Sequence, residues 1–258
     1  MFPAERRRQI ERFVSEQGTV TITELSEMFS VSEMTIHRDL KTLEGMGALR
    51  KTRGGALASE IGRVPTDYRK RLQSFTIEKD AIGSKAAEFI KDGDTILLGP
   101  GTTSLSVARH CRGFKNLIVY TNGPAVVNEL AQFPDIEVHS TGGMLSKQTM
   151  AFVGPETEQF ITLLRPDKCF VGAHGFTLAE GVTDPIPLAA SCKRKMVEVS
   201  QEVYLVVTPD KFGNVAQQIS IPLEAIDVVI THENTPKHYI DELAARGIRC
   251  VVASTSGR

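Results

Sequence analysis

Two groups of side chains in this sequence have the types and spacing to hold phosphate or another anion. The first is basic: Arg38, Lys41, Arg50, Lys51 and Arg53 crowd into "HRDLKTLEGMGALRKTRGG", although the whole chain carries a formal charge of only −1. Guanidinium and ammonium groups at that density suit the phosphates of a nucleic-acid backbone. The second is neutral: "GPGTTS", residues 99–104, follows the apolar run "TILL". Gly101 lets a backbone approach a ligand. Thr102 and Thr103 open a helix whose N–H groups and dipole favour an anion.

The basic group needs a scaffold, and the first sixty residues supply one. Ile10, Phe13 and Val14 recur at helical spacing after Pro3, which suits a first helical turn. Thr23 is the expected N-cap of a short helix carrying Leu25, Met28 and Phe29, and Ser32 that of a second, on which Ile36, Leu40 and Leu43 fall at i, i+4 and i+7. With those three turned to a core, Met34, Arg38 and Lys41 point away, flanked by Thr35, His37 and Thr42. That face suits base edges and phosphates in a major groove. Glu33 and Asp39 sit nearer the core-facing edge, where capping or pairing with arginine is expected. "GALRKTRGGA" then reads as a small β-hairpin wing carrying Arg50, Lys51 and Arg53. A charge cluster alone is usually a solvated face; with the two helices and the wing it predicts a winged helix-turn-helix on double-stranded DNA.

Beyond a mixed, proline-containing stretch, short apolar runs alternate with amphipathic ones. Strands are expected near 95–98, 117–120, 136–139, 168–172, 203–208, 227–231 and 249–253, with helices near 80–91, 103–110, 124–132, 154–164, 189–200 and 236–246. The alternation predicts an α/β domain with a mostly parallel, Rossmann-like sheet covered on both faces. The expected division is a DNA-binding domain over 1–57, a linker over 58–79 and a sensing domain over 80–258. Strand ends lead into "GPGTTS", "TNGP", "STGG" (which holds Gly142 and Gly143), "AHG" and "TPDKFG". Ligands of open α/β sheets bind outside the carboxyl ends of the strands, so a small anionic ligand is expected there.

The composition is ordinary for a globular chain, 41% hydrophobic and 24% charged. No run approaches the roughly 18 apolar residues of a membrane span, and "MFPAERRRQI" has no apolar segment after its charges. A cytoplasmic protein with no membrane partner is expected. The four cysteines are far apart, with no CxxC and no paired histidine spacing, which predicts reduced thiols, no metal and no cofactor.

"VTITELSEMFSVSEMTIHRDLKTLEGMGALRKTRGGA" resembles the winged helix-turn-helix of the DeoR family of bacterial transcription regulators. His37 stands where that family usually has arginine, and Arg53 where it usually has histidine. "EKDAIGSKAAEFIKDGDTILLGPGTT", "NLIVYTNG", "GPETE", "DKCFVGAHGF", "EGVTD" and "DKFG" resemble the family's sensor domain, whose fold is shared with ribose-5-phosphate isomerase. The resemblance implies a non-enzymatic repressor of a carbohydrate-utilisation operon, controlled by a phosphorylated or otherwise anionic sugar metabolite. It carries Gly101, Thr102, Thr103, Asn122, Gly123 and Lys211 over as effector contacts, with the Gly142–Gly143 pair and His174 on the same rim. Acids common in the family are replaced by Gly99, Ala189, Thr208 and His232, which points to a less negative rim. The alternatives are a sugar-phosphate isomerase, for which Asp210, Glu180 and Asp184 remain possible bases, and a DNA-binding regulator that no longer senses a ligand. One short helix-turn-helix reads few base pairs, so a homodimer or homotetramer is expected.

Overall fold

The computed structural model describes residues 3–17, 19–45, 49–52, 54–58 and 68–255. Contacts divide the chain into two compact units, Met1–Val64 and Pro65–Arg258.

The first unit runs α1 (Pro3–Gln17), β1 (Thr19–Thr21), α2 (Ile22–Phe29), α3 (Glu33–Gly45), β2 (Leu49–Lys51) and β3 (Gly55–Ala58). Thr21, not Thr23, caps α2: its side chain accepts from the Glu24 amide at 3.2 Å, and the Glu24 carboxylate accepts from the Thr21 amide at 2.8 Å. This reciprocal pair satisfies two amides that a helix start leaves open, and the sequence "TITE" carries its signature. Thr23 instead donates to Glu33 at 3.1 Å. α2 ends on Ser30 in the left-handed region, and Ser32 accepts from the Thr35 amide at the start of α3. β2 and β3 form the antiparallel wing, and β1 adds to it in the order β1-β3-β2. A Cβ at Gly55 would fall 2.0 Å from the Val20 carbonyl oxygen, so only glycine allows β1 and β3 to approach this closely. Ile10, Val14, Leu25, Ile36, Leu40 and Leu43 fill the core beneath.

The second unit opens with α4 (Tyr68–Gln73) and α5 (Thr76–Ala87), so helical residues begin inside the stretch read as a linker. It continues through β4 (Thr95–Leu98), α6 (Thr102–Arg109), β5 (Leu117–Thr121), α7 (Pro124–Leu130), β6 (Ile136–Ser140), β7 (Met144–Ser146), β8 (Ala151–Val153) and α8 (Pro155–Thr162). Then come β9 (Lys168–Val171), β10 (Gly175–Thr177), β11 (Gly181–Asp184), α9 (Pro187–Val199), β12 (Glu202–Val206), β13 (Gln218–Ile221), β14 (Val228–His232), α10 (Lys237–Ala245) and β15 (Arg249–Ala253).

Seven strands form one parallel sheet in the order β15-β14-β12-β9-β4-β5-β6. Side chains alternate across it. Ile96, Leu98, Phe170 and Tyr204 pack with Ile82, Leu105, Val126 and other residues of α5, α6 and α7. Leu97, Cys169, Val171 and Leu205 pack on the opposite face with Ile161, Met196 and Leu243 of α8, α9 and α10. Two small antiparallel additions were absent from the sequence reading: the β7–β8 hairpin and the sheet β10-β11-β13. All four cysteines are free, and burial pushes the Cys111 and Cys169 thiols up to about 12. Among the described residues no helix is long and apolar enough to cross a membrane, and no group of acidic, histidine and cysteine side chains could hold a metal ion.

Candidate functional site

The first unit sorts its charged groups by face. Ile36 and Leu40 of α3 are fully buried, and between them and solvent lies a sharp divide. Asp39 turns inward and accepts from the Arg6 guanidinium at 2.6 Å, both side chains being nearly inaccessible. Its neighbour Arg38 turns outward with Lys41, and neither side chain has a hydrogen-bonding or ionic partner among the described residues. Met34 is 64% exposed beside them, and Thr35 and His37 are half-buried. Ser32 is exposed and shares a hydrogen bond with the Thr35 hydroxyl at 2.9 Å. Lys51 is half-buried on the wing, where its amide donates to Glu44 of α3 at 2.8 Å and ties wing to helix. Arg50 lies on β2, its side chain outside the described set, and Arg53 lies outside the described residues. The unpaired cations thus sit on the face that the core leaves free.

In the second unit the strand order reverses between β4 and β9: β5 and β6 extend one way, β12, β14 and β15 the other. A crevice opens at the carboxyl ends of strands at such a switch point. Here it is a cavity walled by Gly101, Thr102, Thr103, Asn122, His174 and Lys211 among others. Gly101 is the N-cap of α6 and offers no side-chain cap, so the first amides of that helix remain available. Gly123, Gly142 and Gly143 are not in the wall. Gly123 lets α7 start against Pro100, where a Cβ would meet the Pro100 Cα at 2.8 Å. Gly143 has φ +105°, and a Cβ there would fall 2.1 Å from the Thr157 hydroxyl, which itself donates to the Gly142 carbonyl. Both pack backbone against backbone or side chain, a second reason for glycine that a strand-end pattern does not distinguish from ligand approach.

Four further charged residues line the cavity: Arg71, Lys79, Lys193 and Asp184. Asp184, at the end of β11, is the sole carboxylate in the wall among the described residues and is saturated with donors. It accepts from Lys193 and from Ser220 at 2.5 Å each, and from His174 Nδ1 at 2.6 Å. Burial works to raise its pKa, but the Lys193 charge and the donated hydrogen bonds outweigh burial and hold it well below the usual carboxylate range. Burial lowers the His174 pKa against the pull of Asp184, leaving a neutral ring whose Nδ1–H is committed. Its Nε2 is therefore an acceptor, and this buried atom has no partner. Asn122 Oδ1 and Thr149 Oγ1, buried in the same wall, have none either. Lys79 escaped the sequence reading because a lysine on a helical stretch reads as solvated surface; here it is buried and its pKa falls to about 8.

Residues 6–61 match the DeoR-like helix-turn-helix domain, and residues 74–233 match the DeoR C terminal sensor domain. The chain belongs to the DeoR family. It is a DNA-binding transcriptional regulator of that family, and relatives match it end to end. The HTH-type transcriptional regulator GlpR of Haloferax volcanii is 33% identical, covering 97% of this chain and 98% of its own. The regulator GolR of Listeria innocua is 30% identical over 98% of this chain and 100% of its own, and the putative aga operon transcriptional repressor of Escherichia coli O157:H7 is 31% identical over 96% and 93%. Among solved structures, ribose 5 phosphate isomerase A from Neisseria gonorrhoeae aligns over 53% of each chain at 17% identity and a TM-score of 0.39. The tetrameric eIF2B-beta2-delta2 complex from C. thermophilum aligns over 69% of this DeoR-family chain and 62% of its own, at 20% identity and a TM-score of 0.44. These last two likenesses carry nothing about chemistry.

Proposed function

We propose that this regulator is a cytoplasmic repressor of a carbohydrate operon whose operator affinity is set by a small anionic, hydroxyl-bearing metabolite held in the switch-point cavity. Three buried polar atoms without partners, on Asn122, Thr149 and His174, support it most directly. Burying a polar group unpaired is costly, so such atoms gathered in one cavity are arranged for a ligand. The cations Arg71, Lys79 and Lys211 and the open amides of α6 supply the anion's side of the cavity. The hydroxyl-bearing character follows from the acceptors, and it favours a sensing regulator over one that has lost its ligand. An isomerase reading is disfavoured because Asp184, held well below the usual carboxylate range by its donors, is no base poised near neutral pH, and Asp210 is engaged by Thr208 and Lys211. The relatives' names, which include an aga operon repressor, support a carbohydrate target. A two-fold assembly reading half-sites about 34–36 Å apart supplies the selectivity that one short reading helix lacks.

The operator side is tested by Arg38→Ala. The side chain is exposed, so folding should be unchanged while specific operator affinity drops by about 1–3 kcal/mol, roughly 5- to 150-fold, as for one lost bidentate base contact. A gel-shift titration matching the parent would remove α3 from the groove.

On the sensing side, a thermal-melt screen with phosphorylated and acidic sugars should find ligands that raise the melting temperature, since a ligand of the native state must do so. Thr103→Val keeps the shape of the α6 turn but removes a hydroxyl, and affinity for the ligand so found should fall roughly ten- to a hundredfold. An unchanged dissociation constant would move the anion away from this turn.

Lys79 makes anion binding sensitive to alkali. Burial, then the neighbouring Lys211 charge, lowers its pKa to about 8, against the attraction of Asp210. An anion beside it favours the ammonium, so binding should weaken as pH rises from about 7 to 9. Inorganic sulfate, which does not titrate there, is a suitable probe. Stability has the opposite sign. Between about 8 and the ordinary lysine value of 10.5 the unfolded chain holds more protons, so the sulfate-free protein gains stability from this group as pH rises through that range, which overlaps the binding window only at its lower end. Sulfate affinity that is flat with pH, measured by calorimetry, would take Lys79 out of the anion's reach.

A further inference from the structure

Lys79 lies in the cavity wall, yet its ammonium is not simply turned toward the cavity. It donates to the Arg71 carbonyl and, at 2.5 Å, to the Ser74 carbonyl. These two carbonyls close the carboxyl end of α4, where the last turn of a helix leaves acceptors without intrahelical partners. The same corner is held by the Ser74 amide to Lys70, the Ser74 hydroxyl to Arg71, and the Lys79 amide to the Phe75 carbonyl at 3.0 Å. Phe75 itself adopts φ 51°, a left-handed conformation for a bulky residue that makes the turn from α4 into α5 abrupt. An ammonium has three N–H donors; two are spent on α4 and one remains for the cavity.

We propose, resting on the reading of the cavity as an anion site, that Lys79 is the relay from ligand to chain: an anion in the cavity fastens the carboxyl end of α4 through this one amine. The physical basis is charge. Lys211 and Arg71 repel the Lys79 ammonium, while Asp210 and Glu78 attract it. An anion adds to the attraction, so the amine is more fully protonated and its hydrogen bonds to the Arg71 and Ser74 carbonyls gain charge assistance. α4 is the first described element of the sensor unit, directly after the stretch that leaves the DNA-binding unit. A change in how firmly it is tied is a change at the entry to the sensor unit. A conformational signal needs such a differential interaction between states, and the dual use of Lys79 provides it.

Amide hydrogen exchange on the full chain tests this, with inorganic phosphate as the probe at pH 8.5, where the ligand-free amine is mostly neutral, and chloride holding ionic strength constant. Thermal melts on the same samples report whether phosphate is bound. In the parent, bound phosphate should slow exchange over residues 68–79 several-fold more than over α10, whose residues are not in the cavity wall. In Lys79→Met, which keeps the aliphatic stem but loses all three donors, phosphate should still raise the melting temperature through Lys211 and the α6 turn, by less at a given concentration than in the parent. The extra protection of 68–79 should vanish. Phosphate that raises the parent's melting temperature without favouring 68–79 over α10 would overturn the relay and leave the anion site standing. Equal extra protection in Lys79→Met would overturn it too. Phosphate that leaves the parent's melting temperature unchanged would overturn the anion site and the relay with it. Should Lys79→Met fail to fold, the parent comparison alone decides.

Discussion

Asp184→Ala is expected to destabilise the sensor unit by about 3–5 kcal/mol, which is a large part of the roughly 5–15 kcal/mol that holds a typical protein folded. Asp184 is 1% exposed and accepts from Lys193, His174 and Ser220. Removing the carboxylate leaves the Lys193 ammonium, in a site 12% accessible, with the Gly172 carbonyl but no counter-charge. It also leaves the His174 Nδ1–H without its acceptor, while the Ser220 hydroxyl keeps the Val182 carbonyl. A single loss thus leaves one buried charge without its counter-ion and one buried N–H without an acceptor. Urea titration should show an earlier unfolding transition for the sensor unit. A variant that melts with the parent would mean that the cluster is wetter than its burial implies. The parent's pH dependence carries the same sign. A carboxylate held below its ordinary range contributes fully above that range, and its contribution fades only as pH drops beneath it, where the unfolded chain takes up the proton first.

Asp39→Ala should do to the DNA-binding unit what Arg38→Ala does not. The two residues are adjacent on α3 but face opposite ways. Asp39 is 4% exposed and is the partner of Arg6, itself 7% exposed, so its removal leaves a buried guanidinium uncompensated and costs about 3–5 kcal/mol. A small unit has little stability to spare. Operator binding should therefore be lost together with the helical signal of the unit, and an Arg6→Met, Asp39→Leu double variant, which refills the volume with apolar atoms, should recover much of the helical signal. Arg38→Ala, in contrast, should lose operator affinity with its melting curve intact. If Asp39→Ala kept both its fold and its operator affinity, the Arg6–Asp39 pair would be dispensable.

Much of this was legible because the relevant signals are local. "TILL", "LIVY", "IEVH" and "YLVV" are apolar runs between helical patterns, and each is a strand of the parallel sheet. Ile36, Leu40 and Leu43 mark the buried face of α3 by spacing alone. The cap of α2 was legible but passed over: Thr21 has the glutamate three residues on that a capping box needs, whereas Thr23 has serine. The sheet β10-β11-β13 was not legible, since "GFT" and "GVTD" are too short for a period of two to register. Of the cavity, Thr102, Thr103, Asn122, His174 and Lys211 were nameable from strand ends. Arg71 and Lys79 were not, because their burial arises only when α4 and α5 close over the crevice. Asp184 was visible as a carboxylate, but its engagement by Lys193, His174 and Ser220 depends on three elements meeting.

The switch point between β4 and β9 also governs how the chain can be assembled as it is made. β4 pairs on one side with β5, only about 20 residues later, but on the other side with β9, roughly 70 residues downstream. The two partners lie about 50 residues apart, so at about 5–20 residues per second roughly 3–10 s of synthesis separate them. Throughout that interval "TILL" presents one open edge, with no lysine, proline or bulge within it to blunt pairing with another chain. The arrangement that places a ligand crevice at the centre of the finished sheet thus leaves an apolar strand of the nascent chain half-paired until β9 emerges, an edge exposed to pairing with another chain for as long as that synthesis lasts.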